Sequence, residues 1–252
     1  MAVTQFSLTS GNAHSTNDQN TASVTPTANR LILITMASNN GLDSAPATPA
    51  VTGNGITYTL LDSFVMNTRK RISVWRGMSA SPTAGVINFQ FSGNTQYAMH
   101  WSVMEFGGDV DTSGTNGSGA IGLSGSATAT DTTVSVSLGS LSAGSATYGA
   151  CYANDASDQN ETFTAGSGYT AIHSMTGLDF FFGAMTEWRA DGQSAVDFSL
   201  SASRTLRVMG YEIKGVGGIA YSLPLAGEAY SHTGFDMALT YRGPQLALRH
   251  TT

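Results

Sequence analysis

Three glutamates, Glu105, Glu187 and Glu212, fall inside strand-like runs, and carboxylates held on strands are the natural place to look for acid–base chemistry. A glycosidase needs two of them flanking a cleft, about 5–10 Å apart. Glu105 and Glu212 instead occupy matching places in two similar stretches of chain, which gives them a structural reading. The histidines, at 14, 100, 173, 232 and 250, never stand at metal-ligand spacing. His100 and His173 lie in or beside strands, where a hydrogen-bonded structural role is the commoner one. Asn154-Asp155-Ala-Ser157-Asp158-Gln-Asn160-Glu161 is the densest cluster of oxygen ligands, but it lacks the spacing and the glycine of a calcium loop. Turn chemistry, in which Asn and Asp bond their own backbone, explains the same letters. Gly117-Ser-Gly119-Ala-Ile-Gly122 matches the dinucleotide fingerprint, yet the strand before it and the helix after it that would hold a pyrophosphate are not predicted. Cys151 is the single cysteine, so an intrachain disulfide is impossible, and its apolar neighbours mark it as a small core residue. These residues predict no cofactor, no metal site and no enzyme.

The elements that would carry them are strands. Of 252 residues 41% are hydrophobic and only 11% charged, against roughly 25% charged in an ordinary soluble domain. Short runs rich in Val, Ile, Thr, Tyr and Phe alternate with Gly/Asn/Ser clusters, and no helical period survives the 29 glycines. The reading is all-β: an antiparallel, jelly-roll-like β-sandwich of about ten to twelve strands over residues 1–216. The net charge is −6 and the only lysines are Lys70 and Lys214, which argues against a nucleic-acid partner. Arg69-Lys70-Arg71, the one dense basic spot, reads as a solvated hairpin tip. No apolar run approaches the roughly 20 residues that cross a bilayer, so no membrane partner is expected. The start, Met-Ala-Val-Thr-Gln-Phe, lacks a basic and then apolar leader, which with one cysteine points to synthesis in a reducing cytoplasm.

A weak repeat runs through the sandwich, about 24–110 and 133–216. Tyr58, Val74-Trp75-Arg76, Ile87-Asn-Phe89 and Met104-Glu105-Phe106 are followed by Tyr169, Glu187-Trp188-Arg189, Val196-Asp-Phe198 and Tyr211-Glu212-Ile213. Neighbouring strand residues face opposite sides, so each Trp is expected in the core with its Arg outside. Arg76 is then expected to pair with Glu105, and Arg189 with Glu212. Asp109–Asp131 reads as a long mobile connection between the copies. Residues 217–252 form an extended arm whose apolar side chains, Tyr221, Leu223, Leu225, Tyr230, Phe235 and Tyr241, are expected to dock on the sandwich or, by preference, on a neighbouring subunit.

The strands Leu31-Ile-Leu-Ile-Thr, Gly53-Asn-Gly-Ile-Thr-Tyr-Thr-Leu, Ile72-Ser-Val-Trp-Arg76 and Val103-Met-Glu-Phe-Gly-Gly108, with Tyr211-Glu-Ile213, resemble the β-sandwich virion proteins of tailed bacteriophages and prophages. The resemblance spans roughly residues 20–216. It implies a non-enzymatic, homo-oligomeric structural protein of the virion, a capsid decoration or cement protein or else a tail-associated one, whose partners are capsid or tail proteins. The alternative is a carbohydrate- or receptor-binding module of a tail or tail fibre, with Tyr97, Trp101 and Tyr152 as the aromatics that would meet a sugar. Their exposure in a row would favour that alternative, and their burial the structural role.

Overall fold

A computed structural model describes residues 2–41, 45–66, 68–154, 161–176 and 182–216. The arm residues Tyr221, Leu223, Leu225, Tyr230, Phe235 and Tyr241 lie outside this set, as does most of the Asn154–Glu161 cluster. The described chain is all-β and antiparallel. Its strands are β1 (Val3–Thr16), β2 (Asp18–Asn20), β3 (Leu31–Asn39), β4 (Ala50–Gly53), β5 (Thr59–Met66), β6 (Lys70–Gly77), β7 (Ile87–Gln90), β8 (Gln96–Gly108), β9 (Ile121–Ser137), β10 (Ala146–Asn154), β11 (Phe163–Ala165), β12 (Thr170–Thr176), β13 (Phe182–Arg189) and β14 (Ala195–Ile213). The first sheet has the order β1-β8-β3-β6-β5, and the second β9-β14-β10-β13-β12. A small sheet, β2-β7-β4, lies on the outside of the first. On the second, the front of β14 pairs with β11 on one side and the end of β9 on the other.

The two sheets therefore share one wiring. The six strands of the second half answer to eight in the first, because β9 and β14 run on where the first half breaks between β1 and β2 and between β7 and β8. The second break is a tight turn: Ser92 and Gly93 have φ of 52° and 83°, as a type I′ turn requires, and Asn94 N–H bonds Phe91 O. One irregularity matches as well. Sheet 1 has a bulge between Leu60 and Asp62, and sheet 2 has one between Ala171 and His173.

Hydrophobic burial holds the layers together. β3 and β10, the central strands, are covered on both faces, which is why they read as continuous apolar runs rather than alternating ones. Leu31, Leu33 and Ala37 face Tyr148, Ala150 and Tyr152 in the core between the sheets, and Thr35 Oγ1 meets Tyr148 Oη there at 2.6 Å. Ile32, Ile34 and Met36 point the other way, under Ile87, Phe89 and Phe91 of the small outer layer. In the second half Cys151 and Ala153 face the corresponding cover of Val196, Phe198 and Leu200.

Three expectations change. The stretch read as a mobile linker, Asp109–Asp131, holds the first part of β9, a 17-residue strand along β14 that continues to Ser137. Over residues 121–131 its Ser, Thr, Gly and Ala side chains give little apolar signal, because there it meets the outer core with the small groups of Ala127 and Ala129, while Val134 and Val136 come only at its end. Gly117 and Gly119 form a turn leading into that strand, so the apparent fingerprint is neither a flexible loop nor a phosphate cradle. The basic tip also folds inward: Lys70 is buried with Nζ 2.6 Å from Asn154 Oδ1, while Arg71 donates to Pro46 O and Ser63 Oγ.

The register also revises how the two halves align. Glu105 lies opposite Ile32 and Glu212 opposite Thr147. Two residues further along the central strands, Ile34 faces Trp75 and Gly149 faces Glu187. Trp75 thus corresponds to Glu187, not to Trp188, and Arg76 corresponds to Trp188. A one-residue slip moves every side chain to the other face. Trp75 accordingly fills the outer core, whereas Trp188 packs against the core between the sheets.

Candidate functional site

Neither predicted Arg–Glu pair forms among the described residues. The strands carrying Arg76 and Glu105 are not neighbours, since β3 runs between β6 and β8, and β10 likewise separates β13 from β14. Arg76 donates to Thr115 O and Asn116 O, while Arg189 pairs with Asp191 and donates to Ser167 O. The missed partners lie in the turns that lead into the central strands. Glu105 Oε2 accepts the Thr27 N–H at 2.6 Å, and its Oε1 accepts Arg30 Nη1 at 2.8 Å. Glu212 Oε1 accepts the Ser142 N–H at 2.6 Å and the Ser145 hydroxyl at 2.7 Å.

Counted back from the starts of β3 and β10, the two sets coincide. Thr27 and Ser142 each stand four residues before the strand, and Arg30 and Ser145 one residue before it. Asn29 and Gly144, two before it, both have left-handed φ, 58° and 78°. Each buried glutamate therefore clamps the turn that aims the central strand of its own half. Thr-Ala-Asn-Arg and Ser-Ala-Gly-Ser before an apolar strand were the signal available in the sequence. Glu212 takes a further bond from the Leu123 N–H at 2.9 Å, and a Cβ on Gly122 would stand 2.2 Å from its Oε2. Burial alone would push the Glu212 carboxyl up, but the donors on Leu123, Ser145 and Ser142 outweigh it and hold the group below the usual carboxylate range.

Glu187 is different. It is fully buried, with one oxygen 2.8 Å from the Gly166 N–H and the other without a hydrogen-bond partner. Burial pushes its carboxyl up to about 8, with the Gly166 bond opposing and the charge of Asp197 adding to the rise. Such perturbed groups cluster at functional sites in general. This one sits beneath Val196 and Phe198, against Gly149, whose missing side chain leaves it room. The carboxylate whose charge reaches it is Asp197, which lies beside Gly166.

The other chemical candidates are placed as follows. His100 is buried between the sheets, edge-on to Phe182 at 4.7 Å between ring centres, and burial together with the nearby His173 and His14 pushes its pKa down to about 3. The space beside it, walled by Thr35, Ser102, His173 and Thr186, is about 10 Å³, room for one water at most. Among the described residues no three His, Cys, Asp or Glu side chains gather as a metal would need. A shallow cleft of about 390 Å³ lies between the segments Gly139–Ser145 and Ala190–Ser194 and is lined mainly by Gly, Ala and Ser, with Leu141, Asp191 and Gln193. Of the aromatics considered for sugar binding, Trp101 and Tyr152 are buried and Tyr97 is 41% exposed. Compared with protein-family models, with curated proteins and with solved structures, the chain matches none.

Proposed function

We propose that this protein is a non-enzymatic structural component of a bacteriophage virion, a decoration or cement protein that binds the capsid surface and neighbouring copies of itself. The observation that carries the reading is the use of its acids. Glu105 and Glu212 lie in different sheets and serve as matched clamps on the turns entering β3 and β10 rather than as a facing pair. The resemblance of the strand sequences to phage sandwich proteins supplies the address. A doubled sandwich with both central strands covered on two faces suits a particle component, because stiffness and many repeated weak contacts supply strength through avidity. The burial of Trp101 and Tyr152 disfavours the sugar-binding alternative built on those rings.

The test is reconstitution. Particles stripped of the protein should rebind the purified chain at fixed stoichiometry, seen by electron microscopy, and should gain resistance to heat or chelator. Particles that neither bind it nor change in stability would end the decoration reading. Turnover of a capsular or cell-wall glycan by the pure protein would end the non-enzymatic one.

A further inference from the structure

Sheet 2 ends on β9, the longest edge strand of the described chain. Among the described residues no strand pairs with the side of β9 that faces away from β14. Proteins usually blunt such edges with charge, proline or shortness, because a row of unpaired N–H and C=O groups is a template for another strand. β9 has neither charge nor proline from Ile121 to Thr130, a run of Ile-Gly-Leu-Ser-Gly-Ser-Ala-Thr-Ala-Thr before Asp131, and its one irregularity there lies at the front, between Ile121 and Ser124, leaving Ser124–Thr130 regular. Ser124, Ser126, Thr128 and Thr130 are exposed along one face, and Arg207 reaches from β14 to bond Ser126 and Thr128. Leu123, 42% exposed, lies on the other face with Ala127 and Ala129.

We infer that the β9 edge pairs antiparallel with the β9 edge of a second copy, about a two-fold axis at Ser126. Twofold pairing is the commonest closed symmetry, and this register is self-complementary. Leu123 meets the second copy's Ala129 and Gly125 meets its Ala127, while Ser124 meets Thr128 on the hydroxyl face. β9 brings no charged side chain of its own from Ile121 to Thr130, so the strand pair sets no acids against each other despite the net charge of −6, and the charges nearest the axis are the two Arg207 guanidiniums, each held on its own Ser126 and Thr128. At about 3.4 Å per residue and a sheet thickness of about 10 Å, the regularly paired run Ser124–Asp131 buries about 270 Å² on each copy. The total of about 540 Å² is below the roughly 1,000 Å² of a stable interface. The contact is therefore a weak one, which forms at high local concentration. It stands whether or not the protein belongs to a particle, and its test needs no particle.

The full-length chain is examined by sedimentation equilibrium from micromolar to millimolar concentration. A reversible dimer is expected, and the double variant S124K/S126K should weaken it at least tenfold with unchanged circular dichroism. Ser7→Lys, on the exposed face of β1 at the opposite edge, should leave the dimer intact. Ser126→Cys should form an intermolecular disulfide on mild oxidation, since facing antiparallel residues have Cα atoms about 4.5–5.5 Å apart, within disulfide reach. The buried Cys151 keeps the unsubstituted chain as the uncrosslinked control. A monomer at millimolar concentration, a dimer lost in Ser7→Lys but kept in S124K/S126K, or a dimer that Ser126→Cys fails to crosslink would each overturn the inference. Should S124K/S126K not fold, the crosslink decides alone.

Discussion

Trp75 and Glu187 occupy the same place in the two halves, one residue opposite the central strand on its outer face, yet one is an indole and the other an acid. Trp75 is 3% exposed among Ile34, Phe89 and Trp101, where apolar area and ring packing do the work. Glu187 is 0% exposed beside Gly149, Val196 and Phe198, and keeps one oxygen without a partner. The halves share wiring, a bulge and turn clamps but not the contents of their outer cores. Backbone-directing features thus keep the two-fold pattern, while packing volume is free to diverge once a compensating change such as Ile34 against Gly149 is available.

The largest expected effect turns on that difference. Glu187 has a folded-state pKa of about 8 against an ordinary value of 4.5. The unfolded chain gives up this proton first, so the stability linked to it is full below about pH 4.5 and is lost as pH rises through about 8. At about 1.4 kcal/mol per unit the whole span amounts to about 5 kcal/mol. Urea midpoints measured from pH 5 to 9 should fall for the native chain and stay level for Glu187→Gln, which should be the more stable protein at pH 8. A native chain whose midpoint does not fall across that range would show that the acid is not desolvated as described. Trp75→Ala supplies the other arm: loss of a large core ring should cost about 3–5 kcal/mol at every pH. Equal costs for Trp75→Ala and Glu187→Ala at pH 8 would erase the contrast between the two sites.

Much of this architecture could be read from the chain. The buried runs around Leu31–Thr35 and Tyr148–Tyr152, and the Ile87/Phe89 and Val196/Phe198 pairs, announce strands because both faces meet apolar cover. The first part of β9, residues 121–131, was illegible because an edge strand with one small-residue face needs no apolar alternation, whereas its valine-bearing end read as a strand. The Trp-Arg alignment misled because letters can match one residue out of register, and only the pairing of β6 and β13 with the central strands fixes which face each residue takes. The glutamates were visible as matched positions, but their partners were not. A strand residue reaching into a turn 78 positions away, as Glu105 does to Thr27, leaves no local trace.

The clamps come next in size. Glu212 holds three donors, so Glu212→Gln loses charge-assisted bonds and turns an amide toward N–H groups, at about 2–3 kcal/mol. Its depressed pKa gives the opposite slope to Glu187: the contribution is present above the ordinary carboxylate range and lost as pH falls through it. Glu105→Gln keeps an acceptor for Thr27 and gives up a pairing with an Arg30 side chain that is 30% exposed, which solvent screens, at about 1 kcal/mol. Chemical denaturation at pH 6 should rank the two in that order. A larger loss at Glu105 would mean that Arg30 aims β3 more strongly than its exposure suggests.

The smallest effect is the sharpest probe of equivalence between the halves. Asn29 and Gly144 hold the same left-handed position in the two clamped turns. Nothing lies within 4 Å of where a Cβ on Gly144 would stand, so Gly144→Ala reports backbone conformation without a clash. Placing an L side chain there costs about 1–2 kcal/mol, offset in part by a less flexible unfolded chain. Asn visits this region more readily than Ala because its short polar side chain bonds locally, so Gly144→Asn should be close to neutral and Asn29→Ala should cost about as much as Gly144→Ala. For a chain of this size that is a fall in Tm of about 2–4 °C, readable by calorimetry. If Asn29→Ala and Gly144→Ala part by more than that shift, the two turns are held by different means, and the clamp is a resemblance of hydrogen bonds rather than a repeated device.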